Sequence, residues 1–317
     1  MSGLELIEPR LCKGVVIERE GPSIQVLWPD NCLSFASCGS SQKELINQLA
    51  TEPLPPELSN LVPALFAQGL LFDAGRPNGP DFWHGLNLVG PILKQIRCTA
   101  ASAFPEGGLI DRLISGTAPR ATVVDWLYSM FHFTDSACRH IGPLLEVGDA
   151  IEAQMWQNLY SEEIEHWRIY RRIFAELGTT IHEVRRSPPY PAAIAFVDWL
   201  EHLARNAPHA YAASLLFIEQ PPIALEMLDD PLYRALHKHY GFSVAAVRPL
   251  WLHAVANGTA GHASLGSRVL ARRGIFVGAE VEEILAMVAK TVESLGALYE
   301  VLGDLRQPNL ESMPDMP

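Results

Sequence analysis

Glu163 and His166 stand where a core helix would place leucine or isoleucine. In Trp156-Gln-Asn-Leu-Tyr-Ser-Glu-Glu-Ile-Glu-His-Trp-Arg-Ile-Tyr170 the apolar residues recur at helical spacing, through Trp156, Leu159, Trp167 and Tyr170, and both polar residues fall inside that stripe. A carboxylate and an imidazole at i and i+3 share one side of a helix. Inside a bundle they need a partner, and a metal ion suits both. A hydrogen-bonded Glu–His pair is the plainer reading of the helix taken alone.

Three more positions share this character. Glu219 closes the apolar run Ala212-Ala-Ser-Leu-Leu-Phe-Ile218 just before the helix-breaking Gln220-Pro-Pro222. His262 has Val255, Leu265 and Val269 as helical neighbours, and His132 sits among Trp126, Met130 and Phe131. Two imidazoles and two carboxylates from three helices, with a third imidazole in reserve, suit iron or manganese better than structural zinc, which favours thiolates.

The remaining composition narrows the classes. Acids outnumber bases 36 to 24, which argues against a nucleic-acid binder, since phosphate contacts need clustered Lys and Arg. No run of apolar residues is long enough to span a membrane, and the first residues lack a secretion signal. The five cysteines form no Cys-x-x-Cys pair and suit reduced thiols, so a cytoplasmic protein is expected. There is no Gly-x-Gly-x-x-Gly after a strand, no Walker loop and no Gly-x-Ser-x-Gly elbow.

The elements that must position these residues are mainly helical. Helices are predicted near 84–98, 108–116, 119–146, 150–178, 191–206, 208–219, 222–229, 231–257, 259–273 and 278–306. Before them, Val15–Ile17 and Ile24–Trp28 read as a β-hairpin, with Leu33–Phe35 as a third strand, followed by helices from Ser40 and over Glu57–Gln68. The turn-rich segment 76–82 reads as a linker between a small α+β domain (1–75) and a helical domain (83–306), and 307–317 as a disordered tail.

The order of a Tyr128-x-x-x-His132-Phe helix, a Glu162-Glu163-x-x-His166 helix ending in Ala175-Glu-Leu-Gly178, an isolated Glu219 and His262-Ala-Ser-Leu-Gly266 resembles the heme-oxygenase-like superfamily over residues 85–305. That superfamily holds heme-oxygenase-like iron oxidases, the cofactorless quinone-forming enzyme of pyrroloquinoline quinone biosynthesis and thiaminase-like proteins. The resemblance implies a heme-oxygenase-like bundle, and metal ligands Glu163, His166, Glu219 and His262 for one or two irons that activate dioxygen. The last helix departs from the diiron pattern His-x-x-x-Asp-x-x-His. Counted back from His262 it has Thr259 and Val255, and counted forward from His253 it has Asn257 and Ala260. One metal then binds, or His132, Glu162 or Asp135 complete a second site, or the site is metal-free. In the metal-free case Tyr128, His132, Tyr160 and Arg248 surround the substrate, and His132, Tyr128 and Tyr160 are the catalytic candidates.

Residues 4–73 resemble winged-helix domains that recognise precursor peptides in peptide-modification pathways. That resemblance implies a leader peptide added as a strand at the hairpin edge, and a substrate that is a small molecule or is carried on a peptide. A homodimer is expected. The functions weighed are an iron-dependent oxidase or oxygenase of a biosynthetic pathway, a cofactorless oxidase, and a non-catalytic adaptor.

Overall fold

Helical periodicity is realised most fully where it is strongest. In the computed structural model, which describes residues 7, 9–11, 16–20, 23–28, 31–36, 62–67, 71–76, 81–219, 224, 226–259 and 262–304, helix follows helix from residue 89 onward. Helix α2 (Val89–Ala103; α1 is Val62–Ala67) buries Val89, Ile92, Leu93 and Ile96, one stripe at i, i+3, i+4 and i+7. It lies against the long C-terminal helix α14 (Gly278–Asp304), where a Cβ on Gly296 would come within 2.7 Å of the Ala103 Cβ. Helices α9 (Pro191–Asn206) and α10 (Pro208–Ile218) each carry proline in the first turn, where its missing N–H costs nothing. Every residue of α10 from Ala210 to Leu216 is buried, the pattern of a helix surrounded by others. Helix α13 (His262–Arg273) packs along α10.

Between these run α3 (Leu109–Ser115), α4 (Arg120–Asp135), α5 (Ala137–Ile141), α6 (Ala150–Glu163), α7 (Arg171–Glu176), α8 (Ile181–Arg186), α11 (Pro231–Lys238) and α12 (Val244–Thr259). Buried apolar residues gather into two cores. One is shared by α2, α9, α10, α13 and α14 around Trp156, Tyr211 and Val288. The other is shared by α3, α4, α7, α11 and α12 around Phe131, Phe174 and Leu236. No helix among the described residues is long and apolar enough to cross a membrane.

Several expected helices are broken, each for a local reason. The span 119–146 ends at Asp135, where the Ser136 N–H is shared between the His132 and Phe133 carbonyls, and it resumes as α5 and a 3-10 turn at Gly142–Glu146. The span 150–178 breaks after Glu163 into a 3-10 turn (His166–Tyr170) and α7. The span 231–257 is split by Gly241, whose φ of +76° continues no helix. Helix α8, opened by a Thr180–Glu183 capping box, was not anticipated, nor was the pairing of β6 (Phe82–His84) with β7 (Ile275–Val277). Three-residue strands carry too little alternation to be read. Of the expected helix 222–229, residues 226–229 form a bend and turn, while 220–223 and 225 lie outside the described residues.

Near the N-terminus the expected hairpin is a three-stranded antiparallel sheet, with β2 (Val16–Glu20), β3 (Ser23–Trp28) and β4 (Asn31–Ala36) in that spatial order. The helix expected from Ser40 and the tail 307–317 lie outside the described residues, so the winged-helix arrangement as a whole falls there too. A separate pair, β1 (Pro9–Leu11) with β5 (Leu71–Asp73), joins this region to the helices. Asp73 is fully buried; its carboxylate accepts from Ile7 N at 2.9 Å, Gly75 N at 3.1 Å and Arg76 Nε at 2.9 Å. Its backbone N–H donates to Asn87 Oδ1 at 2.8 Å, and Asn87 Nδ2 donates back to the Asp73 carbonyl at 3.1 Å. Leu65, Phe66 and Leu71 share the first core with α2 and α10, so packing crosses the expected linker, of which 77–80 lie outside the described residues.

Candidate metal centre

Glu163 is the last residue of α6, a helix started by the Asp149 carboxylate, which accepts from Ile151 N and Glu152 N. Trp156, Leu159 and Glu163 lie on one inward stripe of α6, and all three are buried. The helix ends there, and two turn residues carry the chain into His166, the first residue of the 3-10 turn. The break leaves the two side chains together: His166 Nδ1 is 2.7 Å from Glu163 Oε2.

The third member comes from α12. His253 stands four residues after Pro249, and its ring meets the His166 ring at 4.4 Å between centroids and 69° between planes. Glu163, His166 and His253 each offer one ligand atom, and these atoms all lie within 4.8 Å of one another. An ion held at about 2 Å by each donor needs donors no more than about 4 Å apart. A side-chain adjustment of an ångström or less meets that need, so the donor set fits a metal ion. Two imidazoles and one carboxylate are also the donors of the facial triad that binds non-heme iron(II) and leaves positions open.

Glu219 caps the C-terminus of α10, buried beside the cluster. Burial pushes its carboxyl up to about 8, and the charge of Glu163 adds to the rise. Two acids that oppose each other's ionisation in an apolar interior are what a cation between them would relieve. Tyr211, on the same helix, has its phenol held well above its ordinary range by burial, then by Glu219 and Glu163. Its Oη lies 2.8 Å from His140 Nδ1. His140 is buried on α5, stacked flat on Phe133 at 5.5 Å, and burial pushes its imidazole down to about 4 while Glu163 opposes the fall. Asn257, one turn beyond His253 on the same face of α12, is buried with its Oδ1 unbonded to any described residue.

The structure thus brings together Glu163 and His166 as read from the sequence, with Glu219 electrostatically coupled to Glu163. His262 opens α13, but its side chain lies outside the described residues. The third donor, which sequence reasoning set aside, is His253: counted forward from it, Asn257 and Ala260 stand where the diiron pattern has Asp and His. Its signal was the run Leu250-Trp-Leu-His253, an imidazole among apolar residues three before and Asn257 four after. His140 was missed as well, because the predicted helix 119–146 ran straight through it.

The candidates for other roles are dispersed. His132 is half-buried on α4, its imidazole lowered by burial and partly restored by Asp135. Tyr128 meets Phe174 edge-on at 5.2 Å in the second core, whereas Tyr160 packs against the first. Asp135 is held by Arg185, which donates from Nε at 2.9 Å, and Glu162 and Arg248 are exposed.

A family described as iron-containing redox enzymes matches residues 124–294, a span that includes Glu163, His166, Glu219 and His253. Among curated proteins, none matches the sequence. A domain of unknown function with a heme oxygenase-like fold from Shewanella denitrificans OS217 superposes with TM-score 0.55 at 13% identity, covering 67% of this chain and 90% of that one. A TenA homologue from P. horikoshii OT3 gives 0.53 at 12% identity, covering 68% and 97%. A TenA homolog from Pseudomonas syringae pv. tomato gives 0.51 at 11%, covering 67% and 90%. The helical body has a heme-oxygenase-like fold.

Proposed function

The chain belongs to the family of iron-containing redox enzymes, and from that premise we propose a non-heme iron oxidase or oxygenase whose iron is held by Glu163, His166 and His253. The observation that carries this reading is the convergence of those three donors, from α6, the turn after it and α12, within 4.8 Å. Iron bound by such a set supplies one-electron chemistry toward dioxygen, with coordination positions left for it and for substrate. Around it the chain does the rest. Trp156, Leu159, Leu215 and Leu216 exclude water. Glu219 stores a proton at neutral pH and releases it when positive charge arrives. The Tyr211–His140 pair holds a hydroxyl at the carboxylates' edge. A peptide-borne or small-molecule substrate from a biosynthetic pathway is consistent with this site.

Peptide recognition by residues 1–75 belongs to the same proposal, with one change of place. β3, which contains Ile24–Trp28, is paired on both sides, so an added strand has to sit on β2 or β4.

The test is metal analysis of protein made with iron and purified anaerobically. Wild type is expected to hold iron, with an absorption change on admission of air, and His253→Ala and His166→Ala are expected to lose it while keeping their helical circular dichroism. The iron count of His262→Ala decides whether that imidazole joins the set. Full occupancy in His253→Ala would overturn the assignment.

A further inference from the structure

A cleft of about 1410 Å3 opens along the C-terminal half of α14, facing the end of α2 and the start of α3. Its walls are aromatic: Phe104 meets Tyr299 edge-on at 5.5 Å and Phe217 at 6.2 Å, and all three line the space. The inner end runs toward the candidate centre. Phe217 and Ile218 line it, and the next residue is Glu219. Phe133 also lines it and stacks on His140, which is bonded to Tyr211 beside both buried carboxylates. The lining thus includes direct neighbours of the buried Glu219 and His140.

The mouth carries one sign of charge. Glu293, Glu300 and Asp304 border the cleft at i, i+7 and i+11 on one face of α14, and Asp111 borders it from α3. The basic residue in the lining, Arg112, has its Nη2 donating to the Gly303 carbonyl at 3.1 Å. From an aromatic interior, an acidic mouth and a chain of net charge −12, we infer that the cleft binds a cationic amphiphile. Its apolar body lies against Phe104, Phe133 and Phe217, and its protonated amine lies among Glu293, Glu300 and Asp304. An anionic head on the same body meets like charge there and is rejected. The volume exceeds the roughly 300–1,000 Å3 of a typical small-molecule site, so a long chain fits. This names a substrate class for the proposed iron site and rests on that reading only for what becomes of the ligand.

Isothermal titration of the full chain with decylamine, decanoate and decanol, each below its micelle concentration and at low salt, tests the inference. Decylamine is expected to bind at least about tenfold more tightly than decanoate, with the preference shrinking as salt screens the mouth. The exposed double substitution Glu293→Gln/Glu300→Gln should weaken decylamine about tenfold and leave decanol unchanged. His253→Ala should bind decylamine as wild type does. Equal or tighter binding of decanoate, no binding of any probe, or an unaffected double variant would each overturn the inference. So would loss of decylamine binding in His253→Ala, which would place the amine at the candidate centre. If wild type binds decylamine but holds no iron, the iron reading falls and the cleft stands.

Discussion

Replacing Gly266 by alanine adds one methyl group where two helices cross closely, and the outcome can be worked from the structure. A Cβ there would lie 2.1 Å from the Ala212 carbonyl oxygen and 3.1 Å from its carbon, both backbone atoms that cannot rotate away. Helices α10 and α13 must separate by about an ångström to restore ordinary contact, and a gap of that size forfeits up to about half of each dispersion contact across it. Leu215, Leu216, Leu265 and Val269 all lie buried along or beside this crossing. Overpacking of this kind costs about 3 kcal/mol, and the better helix propensity of alanine returns about 1 kcal/mol. The net loss of about 2 kcal/mol lowers the Tm by roughly 4–8 °C for a body of this size. Because α10 ends at Glu219, the same wedge shifts that carboxylate against Glu163, and iron affinity falls with stability. Differential scanning calorimetry with metal analysis measures both. A Tm equal to or above that of wild type would mean that propensity wins and that the helices do not approach this closely in solution.

Other expectations follow from single groups. Glu219→Gln, isosteric with an acid already protonated at neutral pH, should leave the metal-free Tm within about 2 °C and weaken iron binding at least about tenfold, read by competition with a chelator. His140 is neutral in the fold down to about pH 4, whereas the unfolded chain takes a proton near 6.5. Its contribution is therefore unchanged above pH 7, and stability is lost as pH falls from 6.5 to about 4, by up to about 3 kcal/mol. Denaturant titrations across that range should show a shallower loss in His140→Gln, and an unchanged slope would refute the account. Asp73→Ala leaves the Ile7 and Gly75 amides and Arg76 without their shared carboxylate and should cost about 3 kcal/mol, seen as earlier urea unfolding.

The inward face of α6 was legible from spacing alone. Trp156, Leu159 and Glu163 repeat at helical intervals, and a carboxylate in that stripe has to meet a partner wherever the chain folds. The same reasoning found α9 and α10 from apolar residues at helical spacing, and the β2–β3 hairpin from two β-rich segments around Glu20-Gly-Pro-Ser23. These are facts of local chemistry, because propensity, capping and periodicity act over a few residues.

Which imidazole meets Glu163 and His166 is not such a fact. His253 reaches them because α12 lies against the 3-10 turn that begins at His166. Glu219 couples to Glu163 from the end of α10 to the end of α6, two helices far apart in the chain. Sequence spacing places a residue on a face of its own helix. Where faces of different helices converge is decided by how closely their backbones approach, and that is settled by packing between segments far apart in the chain.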